Sequence, residues 1–293
     1  MFEGVEEFHR PANVREALEL LQRGKGRARI VAGCTDVIVE NDSSIRTLID
    51  ITHAGLNYVR RRGACWSIGA ASTMADLEDS AEIRSLAGGL LARAAATCGS
   101  VQVRNMATVG GNMANGSPAA DLATPLLALD ATAVLAEVGA SGQSKRKMPL
   151  AEYLAVARSR ALANSLLVEI TFAVPTAGTH SGWSFVKFGR TAVDISVVNV
   201  AAGLQLDSHR HVKWARIALG SVAPLPVRMP KAEALMAGRA IDHGLLAEVC
   251  ASVMREVHPI GDVRASAEYR RELSRVLTGR ALEECAANAG CSL

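Results

Sequence analysis

Three short segments carry residue types that suit a phosphate-bearing ligand. The first, Arg29-Ile30-Val31-Ala32-Gly33-Cys34-Thr35-Asp36, is a β run ending in small residues, then a hydroxyl and a carboxylate. Small residues at a strand end let backbone N–H groups approach a phosphate, and such a turn can form an anion-binding nest. A tight turn with Asp36 as a helix cap fits the same residues. The second runs Ala107-Thr108-Val109-Gly110-Gly111-Asn112 and on to Ser117-Pro118-Ala119-Ala120-Asp121. Its paired glycines predict two backbone donors with no side chain in the way, and Thr108, Asn112 and Ser117 add hydroxyl and amide partners. That chemistry suits a pyrophosphate held without a cationic side chain, with Asp121 accepting from ribose hydroxyls. An ordered glycine-rich loop without a ligand is the alternative. The third is Phe185 to Ser196, in which Lys187 leaves a strand and Asp194 opens the next. By itself it is an exposed hairpin.

The elements around these segments follow from pattern. Asn13-Val14-Arg15-Glu16 is a capping box, followed by Ala17, Leu18 and Leu21 on one helical face. β runs are expected at 28–31, 48–51, 66–70 and 166–172. A helix over 83–98 is broken at Gly88-Gly89, and residues 99–123 show no regular period. An irregular stretch of that length inside a compact domain points to function. Past Pro175-Thr176-Ala177-Gly178, the best linker, come longer runs at 182–187, 195–206 and 212–221, with His209 and His211 in a hairpin loop. Helical periodicity then continues from Lys231. The expectation is two domains, 1–177 and 178–293.

Composition excludes several classes. With 293 residues, 49% of them hydrophobic, and a net charge of +3, disorder is ruled out. No basic run is longer than Arg60-Arg61-Arg62, which reads as a solvated turn rather than a nucleic-acid patch. The apolar stretches are interrupted too early to span a bilayer, and the acidic N-terminus is unlike a secretory signal. A cytoplasmic protein is expected. Cys34, Cys65, Cys98, Cys250, Cys285 and Cys291 include no C-x-x-C pair, so a metal site on this chain is not expected. Neither a G-x-G-x-x-G fingerprint nor a P-loop occurs, which disfavours an ordinary dinucleotide dehydrogenase. No catalytic residue is nominated.

Taken in order, the three segments resemble the FAD-binding medium subunit of the molybdenum hydroxylases, the xanthine dehydrogenase and carbon monoxide dehydrogenase family. The family pattern is A-G-G-T-D near residue 30, T-[VI]-G-G-N with S-P-x-x-D near 110, and K-x-x-R…D-[IL]-[AS] near 190. The stretch from Asp262 to Leu273, on to Leu282, is similar to the family's final helix. The resemblance spans essentially the whole chain.

It implies an α+β fold: a two-subdomain FAD-binding fold of the vanillyl-alcohol-oxidase type, then an antiparallel sheet with a helix bundle. Ile30, Val31, Ala32, Gly33, Cys34, Thr35 and Asp36, with Ala107, Thr108, Gly110, Gly111 and Asn112, would hold the FAD pyrophosphate. Ser117 joins this site, Asp121 would bind the adenosine half, Leu166 would line the flavin and Lys187 would reach it. The implied function is electron transfer from [2Fe-2S] clusters on a small subunit, reduced by a molybdenum cofactor on a large subunit, to an acceptor such as NAD. A dimer of heterotrimers is the implied assembly, and a self-sufficient flavin oxidoreductase of the same superfamily is the alternative. Cys34 stands where the pattern has glycine. If that position needs a positive φ, the cysteine costs about 1 kcal/mol or more.

Overall fold

The computed structural model describes residues 4–139, 142–157, 159, 162–174 and 180–293. The linker at 175–178, the cut at 177 and part of the expected turn at 139–142 lie outside them. Two compact units divide the chain. One gathers Met1–Asp76, Val101–Gly116 and Ala131–Ala173; the other gathers Leu77–Ser100, Ser117–Asp130 and Val174–Leu293. Two segments that precede residue 177 therefore belong to the second unit.

The first unit has two sheets. Strands β1 (Glu7–His9), β2 (Ala28–Val31) and β3 (Thr47–Asp50) pair in parallel in the order β1-β3-β2. Helix Val14–Arg23 begins as the sequence predicts. Asn13 accepts from the N–H of Glu16 at 2.9 Å, and Glu16 accepts from the N–H of Ala12 at 2.9 Å. Its buried face carries Ala17, Leu18, Leu20 and Leu21.

The second sheet is antiparallel and five-stranded, in the order β4-β5-β8-β6-β7. Its strands are β4 (Val59–Arg62), β5 (Cys65–Gly69), β6 (Thr132–Gly139), β7 (Gly142–Pro149) and β8 (Ser165–Ala173). Strand β7 is an outer strand with Lys145, Arg146 and Lys147 exposed. Charged side chains on an open edge discourage further strand pairing.

Residues 99–123 are more regular than their sequence suggests. Helix Val101–Met106 and helix Val109–Asn115 fall within them. Each is only six or seven residues long, too short for a periodic signal.

In the second unit, β9 (Ser181–Phe188), β10 (Val198–Leu206), β11 (Val212–Gly220) and β12 (Val227–Arg228) form one antiparallel sheet. The expected hairpin at His209 and His211 joins β10 to β11, with Asp207 accepting from both backbone N–H groups at 2.8 Å. Helices His243–Glu256 and Ala267–Asn288 share a core with this sheet, built on Val198, Val200, Ile217, Leu219, Val249, Leu277 and Leu282. Burial of such aliphatic faces supplies the main favourable term for folding. The α+β architecture with a C-terminal antiparallel sheet and helices is the expected one.

Candidate functional site

The first two segments meet in the first unit, backbone to backbone. A Cβ at Gly33 would lie 1.8 Å from the carbonyl oxygen of Met106 and 3.0 Å from the nitrogen of Ala107. Only glycine permits that approach. The next residue, Cys34, has φ +57°. Its position is left-handed, so the cysteine carries the steric cost that a glycine would avoid. Burial, with Asp50 adding to it, pushes the Cys34 thiol up, so it is held as the protonated form rather than as a reactive thiolate.

Among the described residues, the N–H groups of Gly33, Cys34 and Thr35 make no hydrogen bond. They follow the end of β2 and precede helix Val37–Glu40. Consecutive free N–H groups around a left-handed residue are the makings of an anion nest. Asp36 takes the N-cap position of that helix, but its side chain makes no capping bond.

The paired glycines behave differently from expectation. The N–H of Gly110 donates to Ala70 O at 2.8 Å, and that of Gly111 to Thr108 Oγ1 at 3.1 Å. Val109 N–H donates to Ser72 O at 2.9 Å. Thr108 caps the helix through its side chain. The two donors predicted to be exposed are thus engaged internally. Gly110 is required for packing, because a Cβ there would sit 2.7 Å from both Ala70 Cβ and Ala70 O. Gly111 is exposed, and a Cβ would meet Thr108 Oγ1 at 3.0 Å and no other atom within 4 Å. Beside it, Asn112 Oδ1 is buried with no hydrogen-bond partner among the described residues.

The remaining predicted residues separate. Ile30 packs on the core cluster of this unit, Val31 lies in a second cluster with Ile45 and Leu48, and Ala107 is buried. Leu166, expected to line a cofactor, is 3% exposed and packs with Leu18, Leu21, Val134 and Val168. Its side chain serves the core. Ser117, in the second unit, accepts from Ala119 N–H at 3.2 Å and shapes the turn that follows.

Asp121 and Lys187 find each other inside the second unit. Lys187 Nζ donates to Asp121 Oδ2 at 2.9 Å and to Thr97 O at 2.7 Å. The Lys187 side chain is 7% exposed and that of Asp121 9%. Ser196 Oγ donates to Asp121 Oδ1 at 2.7 Å, and Asn199 Nδ2 approaches the same oxygen at 3.4 Å. Thr124 Oγ1 donates to Asn199 Oδ1 at 2.9 Å. Burial pushes the Asp121 carboxyl up, and Lys187, Ser196 and Asn199 oppose that rise. Asp121, expected to accept from ribose hydroxyls, spends its carboxylate on internal partners. Sequence reading missed Thr97, Thr124, Ser196 and Asn199. The available signal was a lone acid set between Ala120 and Leu122 in an apolar run, which must find partners somewhere.

Residues 2–176 match the family of the FAD binding domain in molybdopterin dehydrogenase, and residues 183–285 match the CO dehydrogenase flavoprotein C-terminal domain. The chain belongs to this family. It is 31% identical to the xanthine dehydrogenase FAD-binding subunit of Escherichia coli O157:H7, covering 98% of both chains. It is 29% identical to the carbon monoxide dehydrogenase medium chain of Hydrogenophaga pseudoflava, again over 98% of each. A solved structure of carbon monoxide dehydrogenase from that organism superposes with TM-score 0.90 at 29% identity, covering 98% of this chain and 99% of that one.

The protein is therefore an FAD-binding subunit of the xanthine and CO dehydrogenase type, part of an oxidoreductase. Free N–H groups at 33–35, the open side of Gly111 and the unpartnered Asn112 Oδ1 are what a bound pyrophosphate and its neighbouring hydroxyls require, so the residues present fit the cofactor. Among the described residues, no cluster of three or more His, Cys, Asp or Glu could hold a metal, and no helix is long and apolar enough to cross a membrane.

Proposed function

We propose that this subunit carries FAD in a multi-subunit molybdenum hydroxylase and relays electrons from [2Fe-2S] clusters on a small subunit to an external acceptor such as NAD. The observation that carries the assignment of the site is the run of unpartnered N–H groups at Gly33, Cys34 and Thr35, where Gly33 packs against the backbone of Met106 and Ala107. In this proposal the segment Ile30–Asp36 takes the pyrophosphate. The start of helix Val109–Asn115 adds its N-terminal dipole and the space left by Gly111, and Asn112 takes a neighbouring hydroxyl. Of the three ammonium donors of Lys187, two are engaged within the chain, and the third is the one we assign to the cofactor. Asp121 acts by holding that ammonium in place. Ser117 shapes its turn, and Leu166 contributes through the sheet.

The flavin supplies the redox chemistry when bound; the chain supplies binding, orientation and electrostatics. Substrate oxidation would belong to a large subunit with the molybdenum cofactor. The relatives are named for xanthine, nicotinate, glyceraldehyde and carbon monoxide, as expected if substrate choice lies on another chain. A dimer of heterotrimers, a cytoplasmic location and a functional division near residue 177 belong to the same proposal.

The test is Gly111→Val. A branched side chain there meets little protein and fills the open space. The expected result is a folded chain with an unchanged melting temperature and less than a tenth of the wild-type FAD per chain, read by absorbance after purification. Full FAD content in that variant would move the pyrophosphate elsewhere.

A further inference from the structure

The hydrogen bonds around Asp121 all run in one direction. They begin at Thr124 in helix Ala123–Ala128, whose hydroxyl donates to Asn199 Oδ1 at 2.9 Å. That contact sets the amide, so that Asn199 Nδ2 faces Ser196 Oγ at 3.0 Å and Asp121 Oδ1 at 3.4 Å. Ser196 Oγ receives from Asn199 and has its own proton left for Asp121 Oδ1, at 2.7 Å. Lys187 Nζ takes the other carboxylate oxygen at 2.9 Å, with Thr97 O as its second partner at 2.7 Å. Thr124, Asn199 and Ser196 are buried. Room for the amide is built into the facing strand. Gly220 of β11 stands opposite Asn199, and a Cβ there would lie 2.6 Å from Oδ1 and 2.9 Å from Nδ2. Any side chain at that position would push the amide out of line.

A second arrangement of the same groups is self-consistent, and the Thr124 hydroxyl works against it. With its oxygen and nitrogen exchanged, the Asn199 amide would donate to Thr124 and accept from Ser196. Ser196 would then have no proton for Asp121, and an amide oxygen would replace an N–H beside the carboxylate. Burial already pushes Asp121 up, and both changes would drive it further toward taking a proton. Among the described residues, Lys187 is the charged group that acts on Asp121. The surrounding elements hold their charges elsewhere. Arg93 of helix Leu90–Ala96 turns to Glu284, Arg216 of β11 to Asp130, and Arg228 of β12 to Asp130 and Glu233, while β10 carries no charged residue. Burying an ion pair in place of apolar side chains gains little stability. Three further polar groups spent on its protonation state therefore point to a use for that state.

We infer that Thr124 and Asn199 are positioning residues for the cofactor site: Thr124 fixes the Asn199 amide, the amide keeps Asp121 ionised, and Lys187 thereby presents its third N–H to the cofactor from a pair with no net charge. The inference rests on the assignment of Lys187 to the cofactor proposed above. A pair that gained a proton would become cationic beside the flavin. Holding it neutral keeps the field there independent of pH.

The experiment compares the full chain as wild type, Thr124→Val, Thr124→Ser and Ser196→Ala. In the cofactor-free chain, the infrared C=O band of a protonated carboxyl follows Asp121 as pH falls, and Asp121→Asn identifies the band by removing it. Thr124→Val keeps the shape of the side chain and removes the donor. The proton affinity of Asp121 should rise about tenfold or more in that variant and in Ser196→Ala, while Thr124→Ser, which keeps the hydroxyl, stays at wild type. With FAD loaded, the visible band of the flavin should titrate with the same midpoint in both altered variants. An unmoved Asp121 titration in Thr124→Val, whatever its melting temperature, means that Thr124 and Asn199 serve packing alone, and it overturns the inference. Should that variant fail to fold, an unmoved titration in Ser196→Ala does the same. A carboxyl titration that moves while the flavin band ignores it refutes the assignment of Lys187 to the cofactor, and the positioning role falls with it. The two failures are told apart because the first is read without FAD.

Discussion

The half-buried loop at Gly33–Thr35 and the buried network around Asp121 are both polar sites, but they are finished differently. In the loop, backbone does the work and three N–H groups are left over. In the network, side chains do the work. Asp121 receives Lys187 on one oxygen and Ser196 and Asn199 on the other. Buried polar groups are normally satisfied within the fold, so leftover donors point outward to a ligand and a closed network points inward to structure. Residue type alone does not distinguish the two, since a glycine, a threonine and an aspartate suit either use.

The comparison breaks most easily at the network. Lys187→Met leaves Asp121 as a buried, unpaired carboxylate, and the expected loss is about 3–5 kcal/mol of stability, measured by denaturant unfolding. Adding Asp121→Asn should recover a good part of it, because the uncompensated charge is gone. A single variant as stable as wild type would mean that the pair is not what closes this site, and that Asp121 is free to serve a ligand after all.

Gly33→Ala tests the loop from the other side. A methyl group 1.8 Å from Met106 O cannot be accommodated without parting the two backbone segments. About 2–3 kcal/mol of destabilisation is expected, together with lost FAD retention. Set against Gly111→Val, it separates a glycine needed for packing from one needed for ligand space: the first lowers stability and FAD content together, the second FAD content alone. Identical behaviour of the two would erase the distinction drawn from their surroundings.

Much of this was legible before any coordinates. Asn13 and Glu16 announced a helix start by chemistry that acts within one turn. The 209–211 hairpin was visible because polar residues interrupt two apolar runs. What stayed hidden depends on partners distant in sequence. Strand β7 reads Gly-Gln-Ser-Lys-Arg-Lys, with no apolar alternation, because it is an edge strand exposed along its length. The second of the two short helices within 99–123 is set by a single Thr108 cap and by contacts with Ala70 and Ser72. Asp121 and Lys187 are 66 positions apart, and only the fold brings them within 2.9 Å. The glycines at 110 and 111 look alike in the sequence, and their different neighbours divide their roles.

Cys34 is the smallest test and the sharpest for the loop. The sequence left open whether its position needs a positive φ; the structure answers with +57°. An L-residue in the left-handed region costs roughly 1–2 kcal/mol, while glycine loses about 0.5–1 kcal/mol through the greater freedom of its unfolded chain. The difference favours glycine, so Cys34→Gly should stabilise the protein by about 0.5–1 kcal/mol, seen as a small rise in melting temperature of the cofactor-free chain. FAD retention should hold or improve, because the backbone N–H groups keep their geometry and only a thiol that donates weakly to Ala32 O at 3.6 Å is removed. A fall in FAD content with stability unchanged or higher would instead assign the thiol a direct part in holding the cofactor, and the loop would no longer be a site built from backbone alone.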